Sequence, residues 1–354
     1  MHINPNIAYF FHENELIAWD TKNQQQYAIS PEYFERICMH LTNGNAPTDT
    51  PIDGELLEGK LLQKEPETPT NWTGSLMARL YHNTARNTFD LSKVPSEPAQ
   101  FDVEYIETCS KLNKVQPPFS RTVEGEQIAL PAPREDFFKD VPFSEVLKKR
   151  YTCRNFFDKS ITLEQLSTLL FYGAGPIHGE WKEMKDLGLK AVGVRKAFPS
   201  AGGVHPEEVY AVVFNVENLA NGIYHYNFQS HTLTLMEKGD FVDHLVHLTG
   251  GQRFFKGTAV GLFITAQLSR TIWKYAHSRS YRASLLDVGH CSQNLLLTST
   301  ALGLQTYITG VFHDSSVDKF LKIDDDNEAP YIFIGVGYGE GSFAKSMIDT
   351  ALKG

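Results

Sequence analysis

The sequence predicts an α+β fold, on three observations. Segments rich in β-branched and aromatic residues recur through the second half, and helices interleave with them without the strict alternation of a doubly wound parallel sheet. The stretch from about Ser284 to Leu302 is apolar on nearly every side, which predicts a helix buried all round, in a central core or against a second copy of the chain. The composition, 42% hydrophobic and 21% charged over 354 residues, is that of a globular chain long enough to bury a substantial core.

The elements follow in order. Ile7–Trp19 alternates around a polar His12-Glu13-Asn14 tip and predicts a hairpin, followed by a strand at Gln25–Ser30 and a helix at Pro31–Leu41. Residues 1–70 are thus expected to form a small α/β module, ending in a proline-punctuated, acidic segment between Asn45 and Thr70 that reads as a linker or an irregular surface segment. Residues 71–140 hold one candidate helix, Ser75–Arg86, and then an extended arm from Pro95 to Pro133. From 141 to 354 the signals become dense. Helices are expected at Ser144–Arg150 and at Leu163–Tyr172, the second opened by Thr162. Strands are expected at Glu208–Val216, at Gly222–Tyr226 paired with Thr232–Met236, and at Ala259–Leu268, Gln305–Phe312 and Tyr331–Tyr338.

The 33 basic and 42 acidic residues leave a net charge of −9, which argues against a general role on nucleic acid, where clustered Lys and Arg supply affinity. No 18-residue apolar run occurs and the N-terminus lacks a signal-peptide layout, so the expectation is a cytoplasmic protein with no membrane segment. Cys38, Cys109, Cys153 and Cys291 are scattered and form no CxxC, so free thiols are expected rather than disulfides. His244 and His247 lack a complementary acid or thiol nearby, and no metal is expected.

Four clusters remain. Arg150, Thr152 and Arg154 could grip a phosphate from more than one side, although helix-end cations are a common surface feature. Pro199-Ser200-Ala201-Gly202-Gly203 precedes a strand, and its small residues would let a planar ring lie against backbone amides; a tight surface loop is the plainer reading. Lys274-Tyr275 follows another strand. Asp287-Val288-Gly289-His290, continuing to Gln293 and Asn294, puts polar groups on the apolar helix, where a ligand or helix capping by Asp287 would satisfy them. Gly335-Val336-Gly337-Tyr338-Gly339 is not a dinucleotide fingerprint, because its spacing is wrong and too little chain follows for a βαβ unit.

Together, the order and spacing of these pieces resemble the SagB-type dehydrogenases, a branch of the flavin-dependent nitroreductase superfamily that acts in thiazole/oxazole-modified peptide biosynthesis. Arg150-x-Thr152-x-Arg154-x-Phe156, Pro199-Ser200-Ala201-Gly202-Gly203, Gly222-Ile223-Tyr224-His225-Tyr226, Asp287-x-Gly289-His290, Gln293-Asn294-Leu295 and Gly335-Val336-Gly337 carry the match, with Tyr81-His82-Asn83-Thr84 upstream. The resemblance implies a mixed sheet flanked by helices in an intertwined homodimer, with one FMN per active site made partly by each chain. Arg150, Thr152 and Arg154 would hold the phosphate. Pro199, Ser200, Ala201, Gly202 and Gly203 would line the ring, with His290, Gln293, Asn294 and the Gly310 region contributing, and Lys345 would be the C-terminal cation. Tyr151, His205 and Asp287 stand where the family often has arginine, tyrosine and glutamate.

Azoline-oxidising members carry a Lys-Tyr pair just upstream of the x-Gly-His helix, which Lys274-Tyr275 matches. The resemblance therefore implies oxidation of peptide thiazolines or oxazolines to azoles, Lys274 taking the α-proton and Tyr275 assisting, with FMN reoxidised by oxygen. A modified precursor peptide is the implied substrate and a cyclodehydratase complex an implied partner, with residues 1–70 a candidate peptide-engaging region. The alternative is an FMN-dependent reductase of dehydroamino acids or nitro/quinone compounds using NAD(P)H.

Overall fold

The computed structural model describes residues 1–42, 50–66, 72–86, 91–112, 116–189 and 192–341. They fall into two units, residues 1–95 with 277–279, and residues 96–276 with 280–354.

In the first unit, β2 (Ile7–His12), β3 (Glu15–Asp20) and β4 (Gln25–Ile29) form an antiparallel meander, while β1 (His2–Ile3) pairs with β5 (Leu62–Gln63). The β2–β3 turn is tight because Glu13 and Asn14 both take positive φ (48° and 67°), the backbone twist that closes a two-residue hairpin. Helix α1 (Pro31–Thr42) packs by Ile37 into a core with Ala18, Leu56, Leu61 and Leu62. Part of the segment read as a linker is ordered structure: Pro51–Glu58 is helix α2. Thr50 caps it, Pro51 opens it, and Asp53 closes a reciprocal capping box. Buried Asp53 also takes the Arg36 guanidinium, Nε at 2.8 Å, and the His40 ring at 2.8 Å. Helix α3 (Leu76–Thr84) is capped by Ser75.

The second unit opens with helix α4 (Pro98–Leu112), within the stretch read as an extended arm. Pro98 occupies its first turn, where a missing N–H costs nothing, so proline starts this helix rather than preventing one. The unit is organised by a seven-stranded sheet. Its strands are β6 (Glu126–Ala129), β9 (Glu207–Val213), β10 (Gly222–Asn227), β11 (Thr232–Lys238), β12 (Val260–Gln267), β13 (Gln305–Thr309) and β14 (Glu328–Gly337), in the order β13-β14-β12-β9-β10-β11-β6. A small ribbon, β7 (Gly179–Glu180) with β8 (Val194–Arg195), stands apart. Neighbouring strands of the large sheet all run antiparallel, and among the described residues parallel pairing is confined to the single bridges Thr152–Thr306 and Ile161–Val216. The fold is α+β.

Strand β9 is buried on both faces, as a central strand must be. Val209, Ala211 and Val213 join one core with α6 (Leu163–Ala174) and α10 (Arg279–Ala301). Tyr210 and Val212 join a second core with α8 (Val242–Leu248) and α11 (Asp314–Leu321). Thr162 and Gln165 form a capping box that fixes the start of α6. The short helices α5 (Phe143–Lys149), α7 (Lys182–Asp186) and α9 (Leu268–Lys274) complete the unit. Helix α10 begins before the apolar run at Ser284, so Asp287 lies inside it and does not cap it. Nor is α10 buried all round in one chain, for Leu285 and Leu286 are 37% and 58% exposed.

Candidate active site

The glycine loop precedes β9. Ala201–Gly203 makes one helical turn broken at Gly202, whose φ of 62° and ψ of 17° favour glycine, and Gly203 follows at φ 66°. A Cβ on Gly202 would lie 2.5 Å from the Tyr275 hydroxyl and 2.9 Å from Lys274 Cδ and Cε, so these two side chains close directly over the glycine. Asp287, on α10, holds the loop from below. Ser200 Oγ donates to Asp287 Oδ2 at 2.7 Å and Ala201 N–H donates to the same oxygen at 3.0 Å, while His205 N–H donates back to Ser200 Oγ at 2.9 Å. Burial, then the nearby Glu207 carboxylate, push Asp287 up to about 6, against the bonds from Ser200 and Ala201. One turn on, His290 Nδ1 sits 3.1 Å from the Pro199 carbonyl.

Lys274 ends α9 and Tyr275 caps it, the Tyr275 N–H bonding Thr271 O. Because β12 delivers α9 to the end of the sheet where β9 begins, the pair meets the glycine loop: Lys274 Nζ donates to Gly202 O at 2.9 Å. Burial lowers the lysine and raises the tyrosine, shifting each toward its uncharged form.

The cationic segment lies elsewhere. Arg150 caps α5, Thr152 bridges to Thr306, Cys153 N–H donates to Thr306 O at 2.8 Å, and the Arg154 guanidinium stands 5.5 Å from the Phe254 ring centroid. Thr306 shares a row of the sheet with Val336, Val260 and Val213, whereas the glycine loop adjoins Glu207 at the other end of β9. Those rows are roughly 20 Å apart at the strand rise per residue. Within one chain the two clusters are separated rather than assembled. Gly310 follows β13 and is exposed, as is Gln293. Asn294 is engaged with α6, donating to Tyr172 O at 2.8 Å and Gly173 O at 2.9 Å. Lys345 lies outside the described residues.

Three site residues escape sequence reading. Lys196 is buried, 3.7 Å from Glu207 Oε2 and 4.2 Å from the Phe228 ring centroid; Glu207 looks in sequence like one more acidic position at a strand start. Tyr105, on α4, reaches Lys274 across 169 residues of sequence. None belongs to a motif; only the folded chain brings them here. Among the described residues, no group of three or more His, Cys, Asp or Glu could hold a metal ion.

Residues 147–338, more than half of the chain, match the family model described as "Nitroreductase family". The chain belongs to the nitroreductase family. A nitroreductase-like protein of Methanocaldococcus jannaschii, MJ1384, is 30% identical over 56% of this chain and 92% of its own length. The trifolitoxin-processing protein TfxB of Rhizobium leguminosarum bv. trifolii is 30% identical over 46% of this chain and 44% of its own length. The microcin B17-processing protein McbC of Escherichia coli is 29% identical over 39% of this chain and 53% of its own length. This nitroreductase-family chain therefore spans about half the length of the peptide-processing relatives it matches, and the SagB-type resemblance of its motifs agrees with theirs.

Proposed function

We propose that this nitroreductase-family chain is an FMN-dependent azoline dehydrogenase, oxidising thiazolines or oxazolines of a ribosomal precursor peptide to aromatic azoles. The observation that carries this reading is the packing of Lys274 and Tyr275 onto Gly202, which puts a base and a phenol on the loop that would face a flavin ring. FMN, when bound, would accept the hydride leaving the ring carbon next to the former α-carbon and pass two electrons on to dioxygen. Lys274, as the neutral amine that burial favours, takes the α-proton on Nζ, and Tyr275 orients the heterocycle through its hydroxyl. Asp287 keeps the loop's backbone fixed while this happens.

The residues present suit FMN as two half-sites. The glycine loop offers flat, Cβ-free backbone, and Arg150, Thr152 and Arg154 offer cations and a hydroxyl for a phosphate dianion. Their separation supports a homodimer in which one chain's loop complements the other's cations. The peptide-processing relatives support a precursor peptide as substrate and a cyclodehydratase as partner. In the first unit, edge strand β2, with Phe11 82% exposed, suits pairing with an extended leader segment.

The test is a synthetic thiazoline peptide incubated in air with FMN-loaded protein and followed by mass spectrometry. A loss of two hydrogens is expected, and Lys274→Ala should lose about 10²–10⁴-fold of that turnover while remaining yellow. The similarity to the methanogen protein over 92% of its length favours a second reading, an NAD(P)H-dependent reductase. An inert thiazoline peptide together with NADPH consumption on a nitro or dehydroamino-acid acceptor would select it.

A further inference from the structure

Helix α4 lies between the Tyr81–Thr84 segment and the Arg150–Phe156 motif and belongs to neither. Most of its side chains face outward, Phe101 and Val103 being 60% and 57% exposed. Its buried contact is Cys109, clustered with Val192, Leu112, Met184 and Trp273. One turn before Cys109, Tyr105 lies against Lys274. The Lys274 nitrogen is 3.4 Å from the Tyr105 hydroxyl and 5.5 Å from its ring centroid, and it donates to Gly202 O at 2.9 Å. Tyr105 also walls a cavity of about 430 Å³ with Trp181, Met184 and Phe198, and that cavity reaches Gly202 and His205.

We propose that Tyr105 is the positioning residue of Lys274: carried over the site by α4, its ring and hydroxyl hold the amine against the Gly202 carbonyl and keep bulk water away from it. The inference rests on Lys274 as the base of the reaction proposed above. An unrestrained lysine side chain samples many rotamers and hydrates its nitrogen, which makes it a poor base at neutral pH. The Tyr105 ring, packed beside the amine though itself 37% exposed, counters both tendencies. The titratable groups around the amine are Tyr105 and Cys109 on α4 and Tyr275 at the end of its own helix, with Asp287 on α10 beyond Tyr275. Burial is the dominant influence on Lys274, so removing the cover should raise its protonation midpoint.

The experiment is reductive ¹³C-methylation of the FMN-loaded full chain, followed by NMR titration of the Lys274 signal, assigned through Lys274→Arg. Tyr105→Ala should move the midpoint up toward that of surface lysines, whereas Tyr105→Phe, which keeps the ring, should hold it at or below the wild-type position. Phe101→Ala, on the outer face of the same helix, should leave it in place. On the thiazoline peptide, Tyr105→Ala should lose about tenfold turnover at neutral pH, less than loss of the base itself, and recover as pH rises. A wild-type midpoint in Tyr105→Ala overturns the proposal. Tyr105→Gln, a helix-compatible and hydrated replacement, gives the same comparison if the alanine variant does not fold. A midpoint that follows Tyr105 in a protein inert toward the thiazoline would overturn the dehydrogenase reading while leaving the Tyr105–Lys274 coupling standing.

Discussion

At the residue scale, Asp287 shows how one buried carboxylate can hold a glycine loop. Its ionised form accepts from both Ser200 Oγ and Ala201 N–H, so the loop is held best above the group's raised value of about 6. The sign for global stability is opposite. Because burial raises the folded value, the carboxylate costs stability as pH rises from the ordinary aspartate range through about 6. The expected outcome is that FMN affinity, read by flavin fluorescence on either side of pH 6, weakens on the acid side. Asp287→Asn should bind more weakly at neutral pH and lose that pH dependence; an unchanged profile would show that Asp287 does not govern the loop. The sequence displayed Asp287 as a polar residue on an apolar helix and left open whether it capped the helix or served a ligand. Its actual partner, 87 positions earlier, is visible only after β9 and α10 are brought together.

At the element scale, the strands of the large sheet were the most legible part of the sequence, because a central strand needs β-branched and aromatic residues on both faces. Phe263 on β12 illustrates this: it is fully buried, with ring centroids 4.8 Å from Phe333 and 5.9 Å from Phe312. Phe263→Ala should cost about 3–5 kcal/mol of unfolding free energy, measured by chemical denaturation, because the cavity cannot collapse between two packed rings. Polar burial was not legible. Glu208 at the start of β9 accepts from Arg121 N–H at 2.8 Å, meets His225 Nε2 at 2.7 Å and pairs with Arg270. Glu328 accepts from Tyr210 OH at 2.8 Å and Thr265 Oγ1 at 2.5 Å. These groups come from four strands, α9 and the segment before β6, so no periodicity along the chain could announce the network. Helix α2 is the converse case, since its Thr50-Pro51-Ile52-Asp53 start carries a capping signal that the surrounding prolines and acids outweighed.

At the scale of the whole molecule, the proposed flavin site calls for a test of association. The glycine loop and the Arg150–Arg154 segment occupy opposite ends of one sheet, and α10 leaves Leu285 and Leu286 exposed beside the loop-bearing half of the helix. An apolar pair of this kind on a helix whose opposite face is buried suits a self-complementary interface. Leu286→Glu should shift the protein toward monomer in light scattering and lose bound FMN in the same step. A monomer that stays yellow would place the complete site within one chain.

The sequence by itself determined the α+β class, the main strands and helices α5, α6 and α10 of the nitroreductase-family region, the glycine loop and the Lys-Tyr pair, because local propensity, small-residue spacing and motif order are properties of neighbouring positions. Tertiary structure alone decided that Gly202 supports Lys274, that Asp287 tethers Ser200, that Tyr105 covers the amine, and that the cationic segment lies a sheet's length away. Those relations depend on strand order and register, which bring side chains together across the chain through packing in three dimensions rather than spacing in one.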